Sequence, residues 1–126
     1  ANEAVWVSIG DEVMWRQRYG SKYGNKSANY NGILFHSKKE AGFAAELDLR
    51  MKAKDIKSWS RQEKMSLDLN GYHIANYYVD FTIEHNDGTR EYVEVKGFET
   101  DAWKIKWKLF EAIYGNLPNV RLTVVK

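Results

Sequence analysis

The sequence predicts an α/β fold: a mixed β-sheet flanked by helices, in the order α-β-β-β-α-β. Three observations predict it. Residues 77–96 read as two strands with apolar and polar residues in alternation around a tight turn. Two segments, starting near Ser37 and Thr100, carry apolar residues at helical spacing. Alternation returns over residues 119–125, after the second helix, so the last strand is reached by a βαβ crossover.

At 126 residues the chain is long enough for a sizeable core, and its aromatic content, 14%, suits an ordered globular protein. There is no cysteine, which excludes disulfides, thiolate zinc sites and a thiol nucleophile, and which suits a reducing compartment. No apolar run approaches the length of a membrane span, and the first residues lack a signal-peptide pattern. The formal net charge is only +2, so the distribution of charge says more than its sum. Between Glu12 and Glu40 there is no acid, while Arg16, Arg18, Lys22, Lys26, Lys38 and Lys39 are basic. A segment of one sign is an electrostatic candidate for a polyanion, and equally for a solvated leader.

In chain order, Val5, Trp6, Val7 and Ile9 suit a short strand, and Val13, Met14 and Trp15 a helix start or a docking segment. Residues 19–32 are rich in Gly, Asn and Ser and read as a loop. Tyr and Lys alternate there, Lys22, Tyr23 and Lys26 among them, so rings can stack on bases while ammonium groups meet phosphates. Residues 1–32 are therefore read as an N-terminal segment and basic arm, and residues 33–126 as the core. Ile33-Leu34-Phe35 is a short strand or docking element.

Ser37-Lys38-Lys39-Glu40 is a capping box that opens a helix running to about Lys54. At about 100° per residue, Glu40, Ala44, Leu47 and Met51 share one stripe, flanked by Phe43, while Glu46 points elsewhere. Glu40 thus stands at the start of the inward face. Capping alone explains a glutamate here; a second use is to reach the carboxylates described next.

Residues 56–69 hold one or two strands, interrupted at Arg61-Gln62, and Asn70-Gly71 is a type I′ hairpin signal. The following hairpin turns at Asn86-Asp87-Gly88. A three-residue loop with Gly88 left-handed pairs His85 with Thr89, and counting outward sets Asp80 directly across from Glu94, with Lys96 two residues further on. That register also gathers Val79, Phe81, Val93 and Val95 on the opposite, apolar face. Two carboxylates directly across from one another repel unless a positive charge sits between them. A hard divalent cation such as Mg²⁺ answers that need and brings substrate phosphate with it, and Lys96 could steady charge developing on phosphorus. An ordinary solvated sheet face, with Lys96 neutralising its neighbours, suits the same spacing.

After Gly97, Thr100 or Asp101 caps a helix whose apolar stripe is Trp103, Trp107, Phe110 and Tyr114. That stripe is core. Lys104 and Lys108, four apart, either face phosphate or solvate the surface. Gly115 is placed to end the helix, and Val120, Leu122 and Val124 form the last strand.

A helix glutamate, then Asp, then Glu-x-Lys on the partner strand of a hairpin resembles the PD-(D/E)XK nuclease superfamily. The residues are Glu40, Val79-Asp80 and Glu94-Val95-Lys96. Phe35-His36-Ser37-Lys38-Lys39-Glu40 resembles the Phe-x-Ser-x-x-Glu helix start of phage endonuclease-I-type Holliday junction resolvases. Together with Lys22-Tyr23-Gly24-Asn25-Lys26 and the lysine-rich last helix, the set looks like small phage-encoded nucleases of this superfamily. Val79 stands where the name-giving Pro would be.

The resemblance implies a restriction-endonuclease-like core and a Mg²⁺-dependent (or Mn²⁺-dependent) endodeoxyribonuclease, a phosphodiesterase. It assigns Glu40, Asp80, Glu94 and the Val95 carbonyl to metal, and Lys96 to the attacking water and the phosphorane. Gln62 resembles the glutamine that some members carry between helix and Asp, and is counted with the catalytic set. Arg16, Arg18, Lys22, Tyr23, Lys26, Lys38, Lys39, Lys104 and Lys108 would meet the nucleic acid, duplex or branched. Small resolvases cut two strands symmetrically, so a homodimer is expected, with the cytoplasm of the host cell as its place if the chain is phage-encoded. Alternatives are a restriction-like or nicking endonuclease, a non-catalytic nucleic-acid-binding module on the same fold, and a protein-interaction domain with a charged sheet face.

Overall fold

A computed structural model of the chain describes residues 28–126. It is α/β, with a four-stranded mixed sheet and two helices. The elements are β1 (Ala28–Tyr30), β2 (Ile33–Phe35), α1 (Lys38–Lys52), β3 (Ser58–Leu69), β4 (Tyr72–Glu84), β5 (Arg90–Val95), α2 (Asp101–Tyr114) and β6 (Val120–Val125). From α1 onward the order is the predicted α-β-β-β-α-β. The chain divides into two compact units, Ala1–Leu49 and Arg50–Lys126, and α1 runs across the division.

In the first unit, β1 and β2 pair antiparallel, Tyr30 opposite Ile33. Its first strand and turn lie where the sequence reads as loop, while β2 is the short strand expected at Ile33–Phe35. Asn31 and Gly32 both adopt positive φ, 54° and 79°, as a type I′ turn demands. The Tyr30 hydroxyl donates to Asp48 Oδ2 at 2.5 Å, tying the hairpin to α1. The N-terminus of α1 is capped as expected, Glu40 N–H donating to Ser37 Oγ at 3.1 Å. Glu40, Ala44 and Leu47 are buried and Glu46 is exposed, but so is Met51, which departs from the expected stripe. The helix stops two residues early because Lys54 turns left-handed, φ 64°.

In the second unit the sheet order is β3-β4-β5-β6. The first three strands are antiparallel meander neighbours, and β6 joins β5 parallel, Tyr92 beside Leu122, through the α2 crossover. Thr100 caps α2, its hydroxyl accepting from Trp103 N–H at 3.1 Å. The stripe of α2 is core, as read: Trp107 and Phe110 are buried with Met65, Leu67, Tyr77, Val79 and Tyr92, and Trp103 and Tyr114 pack at the margin. Gly115 ends α2 in an ordinary right-handed conformation, φ −69°, so its lack of a side chain answers a close approach instead. A Cβ there would lie 2.6 Å from the Glu111 carbonyl oxygen.

The hairpin between β4 and β5 has the three-residue loop. His85 N–H donates to the Thr89 carbonyl at 2.8 Å, and Gly88 has φ 90°. Gly88→Ala is expected to cost about 1 kcal/mol, because an L side chain is strained at that φ while the space around it is open. A urea-unfolding midpoint reads this, and an unchanged midpoint would contradict it.

No helix among the described residues is long and apolar enough to cross a membrane.

Candidate active site

The site is built where β4 and β5 stop pairing. The ladder runs from Glu84↔Arg90 to Phe81↔Val93, and one step further sets Asp80 beside Glu94, as the loop length predicts. There the main-chain ladder gives way to a side chain. Val95 N–H donates to Asp80 Oδ2 at 2.8 Å, so the carboxylate occupies the place of a strand carbonyl.

The strand faces are not those expected. Val79 packs with Tyr92 in the core under α2, and Tyr92 lies directly across from Thr82. Regular alternation would set residues 79 and 82 on opposite faces, so the alternation breaks at Asp80. Phe81 instead packs on Trp59, ring centroids 5.7 Å apart. Val79 and Phe81 therefore do not share an apolar face. The β3 register skips the same point, passing from Arg61↔Phe81 to Glu63↔Val79, and the residue passed over, Gln62, has φ 54°. Left-handed backbone at a non-glycine costs about 1–3 kcal/mol and recurs at functional sites.

Both carboxylates are buried, Asp80 at 8% and Glu94 at 5% exposure. The ordinary solvated sheet face is thereby set aside. Glu94 Oε1 accepts from the Tyr77 hydroxyl at 2.8 Å, and Lys96 Nζ lies 3.9 Å from Glu94 Oε2. Desolvation, above all, pushes the Asp80 carboxyl well up, against the Val95 N–H and the positive charges of Lys96 and Arg61. Desolvation and then the charge of Asp80 push Glu94 up to about 8. Two carboxyl groups held this close in a dry place are not both comfortable as anions without a further positive charge.

That instability has a measurable sign. Both folded-state pKa values lie above the ordinary carboxylate range, so between that range and about pH 8 the folded chain holds protons that the unfolded chain has lost. In chelator, the stability present below about pH 4 is expected to fall as pH rises through this window. Carboxylates with lowered pKa, such as Asp68 and Asp87, act at lower pH and in the opposite sense. Melting temperatures from pH 5 to 8 read the slope; a rising stability would contradict it.

The donor set suits a hard cation. Two carboxylates, with the Val95 backbone carbonyl next in sequence after Glu94, match the one or two protein carboxylates by which Mg²⁺ is bound. Among the described residues no three His, Asp or Glu side chains are placed to hold one metal ion together. Glu40 is buried in the first turn of α1, in the first unit. Lys38 and Lys39 are exposed beside it, and Lys104 and Lys108 are exposed on α2. Arg16, Arg18, Lys22, Tyr23 and Lys26 lie outside the described residues.

Three contributors escape a reading of spacing alone. Arg61, which reads only as an interruption of strand pattern, lends its charge to Asp80. Tyr77 looks like one more strand aromatic, and Trp103 like one more core residue. Trp103 Nε1–H donates to the Tyr77 oxygen at 3.1 Å, and its ring lies under Lys96 Nζ, 5.1 Å from the centroid. The available signal was the Trp at the first turn of the helix that follows Glu-Val-Lys.

The architecture and the pair define an α/β protein with a buried two-carboxylate site at the point where strands part. Residues 20–126 match the family described as protein of unknown function (DUF1064), and the chain belongs to that family. No curated protein and no solved structure matches it.

Proposed function

We propose that the chain is a metal-dependent DNA endonuclease of the restriction-endonuclease-like class, acting on branched DNA or Holliday junctions. The observation that carries this reading is the burial of Asp80 and Glu94 side by side with Lys96 at their edge. A stable fold does not need two adjacent buried anions, and replacing such groups by apolar ones is often neutral or favourable. Their presence is accounted for if the site takes up a cation together with a phosphodiester.

Asp80, Glu94 and the Val95 carbonyl would hold Mg²⁺ or Mn²⁺. When bound there, the ion would supply positive charge to the phosphate and acidity to an attacking water. The chain's own residues do the rest. Val95 N–H and the Tyr77 hydroxyl fix one oxygen of each carboxylate. Lys96, held between Glu94 and the Trp103 ring, positions a water and meets negative charge developing on phosphorus. Gln62, at the strand irregularity facing Asp80, belongs to the same set. The basic residues from Arg16 to Lys39, with Lys104 and Lys108, would track the DNA backbone, and binding would weaken as salt rises. A homodimer would place two such sites for paired cuts, and the cytoplasm of a phage-infected host, during DNA recombination, is the setting that fits.

The test is cleavage of supercoiled plasmid, linear duplex and a four-way junction in parallel, each with Mg²⁺, Mn²⁺ or chelator. Metal-dependent cutting with preference for the junction is the expected result. Preference for plasmid or duplex would make the chain a nicking or restriction-like enzyme. DNA binding without cutting, indifferent to metal, would leave a binding module on the same fold.

A further inference from the structure

The Glu94 carboxylate sits inside a closed circuit of side chains. One arm runs from Oε1 to the Tyr77 hydroxyl, 2.8 Å, and on to Trp103 Nε1, 3.1 Å. The other runs from Oε2 to Lys96 Nζ, 3.9 Å, which lies over the face of the same Trp103 ring at 5.1 Å. Both arms end on one indole.

The polarity of the first arm is determined. An indole N–H can only donate. The Tyr77 oxygen therefore accepts from Trp103, and its single proton goes to Glu94. A carboxylate receiving that proton is steered toward its charged form and toward one rotamer. The circuit is also anchored. Tyr77 is buried, its ring 5.0 Å from that of Phe110, and Trp103 stacks on Trp107 at 5.7 Å and 20°. Packing alone does not call for this chemistry at Tyr77, since Phe there would fill the same space with one polar atom fewer to satisfy.

We infer that Tyr77 and Trp103 are positioning residues, which hold Glu94 and Lys96 in register and couple the occupancy of the carboxylate site to α2. The inference rests on the cation-binding reading of that site. A cation drawn to Glu94 competes with Lys96 for Oε2, and the ammonium shifts over the indole face. The Trp103 ring feels that shift directly, and its N–H feels it through Tyr77. The circuit makes α2, which carries Lys104 and Lys108 on its exposed side, a reporter of whether the site is loaded.

The test titrates Mg²⁺ and Mn²⁺ into the full chain by calorimetry, with Mg²⁺ also followed by indole emission, in wild type, Tyr77→Phe and Trp103→Phe. Circular dichroism confirms that each variant is folded. Tyr77→Phe is expected to weaken Mn²⁺ binding by roughly 10-fold or more, the usual effect of removing a group that orients a metal ligand. Trp103→Phe keeps the ring stack and is expected to abolish the Mg²⁺-induced change in emission, so it tests the coupling even if Tyr77→Phe does not fold. Unaltered affinity in folded Tyr77→Phe, or a full emission change in Trp103→Phe, overturns the circuit while leaving the cation site standing. A folded wild-type chain that takes up neither ion overturns the cation site, and the circuit with it.

Discussion

Asp80→Asn is expected to do two opposite things at once. Metal-dependent cleavage should fall by at least about 10²–10³-fold, the range for removing one group that stabilises transition-state charge. Stability in chelator at neutral pH should rise, by about 1–3 kcal/mol. The substitution keeps the oxygen that accepts from Val95 N–H, so the parting of β4 and β5 is preserved. It removes the buried charge of Asp80, which after desolvation is the second cause that raises Glu94. An ordinary structural carboxylate behaves otherwise: its loss costs stability and leaves activity to follow. Parallel cleavage assays and urea melts separate the two. A variant that is both less stable and fully active would contradict the assignment of Asp80.

Phe110→Ala carries the largest expected loss of stability, about 3–5 kcal/mol. Phe110 is fully buried, and four aromatic rings lean on it. Tyr77 lies at 5.0 Å, Tyr114 at 5.3 Å, Trp107 at 5.5 Å and Tyr92 at 5.6 Å. These rings come from β4, β5 and α2, so a cavity at their centre cannot be closed by moving one side chain. Tyr77 is also the donor to Glu94, so the loosened core should reach the site. The denaturation midpoint reads the first effect. A loss under about 1 kcal/mol would mean that the aromatic cluster collapses into the gap, against the rigid packing described.

What the sequence could disclose follows from which forces are local. Hairpin register is set by loop length, so His85, Gly88 and Thr89 were enough to bring Asp80 beside Glu94. Helix ends follow from Ser37 and Thr100, whose hydroxyls take orphan backbone donors. The α2 stripe follows from spacing. The β1–β2 turn was equally local, and Asn31-Gly32 carried its signal inside a stretch whose composition reads as loop. The break in alternation at Asp80 and Gln62 was not local. It depends on β4 pairing with β3 on one side while parting from β5 on the other, which no period-two count contains. The burial of both carboxylates was hidden for the same reason, since charge alternation describes a strand and not what covers it. Tyr77 and Trp103 meet across 26 residues, and only the fold brings them together.

The most direct test of the central claim is a crystal structure of the protein grown with Mn²⁺, with anomalous data collected at the manganese edge. The account predicts an anomalous peak at coordination distance, roughly 2.0–2.2 Å, from both Asp80 and Glu94, as hard divalent ions bind carboxylate oxygen. A saturated crystal with no peak between them, and with Lys96 drawn into a direct ion pair with Glu94, would contradict it.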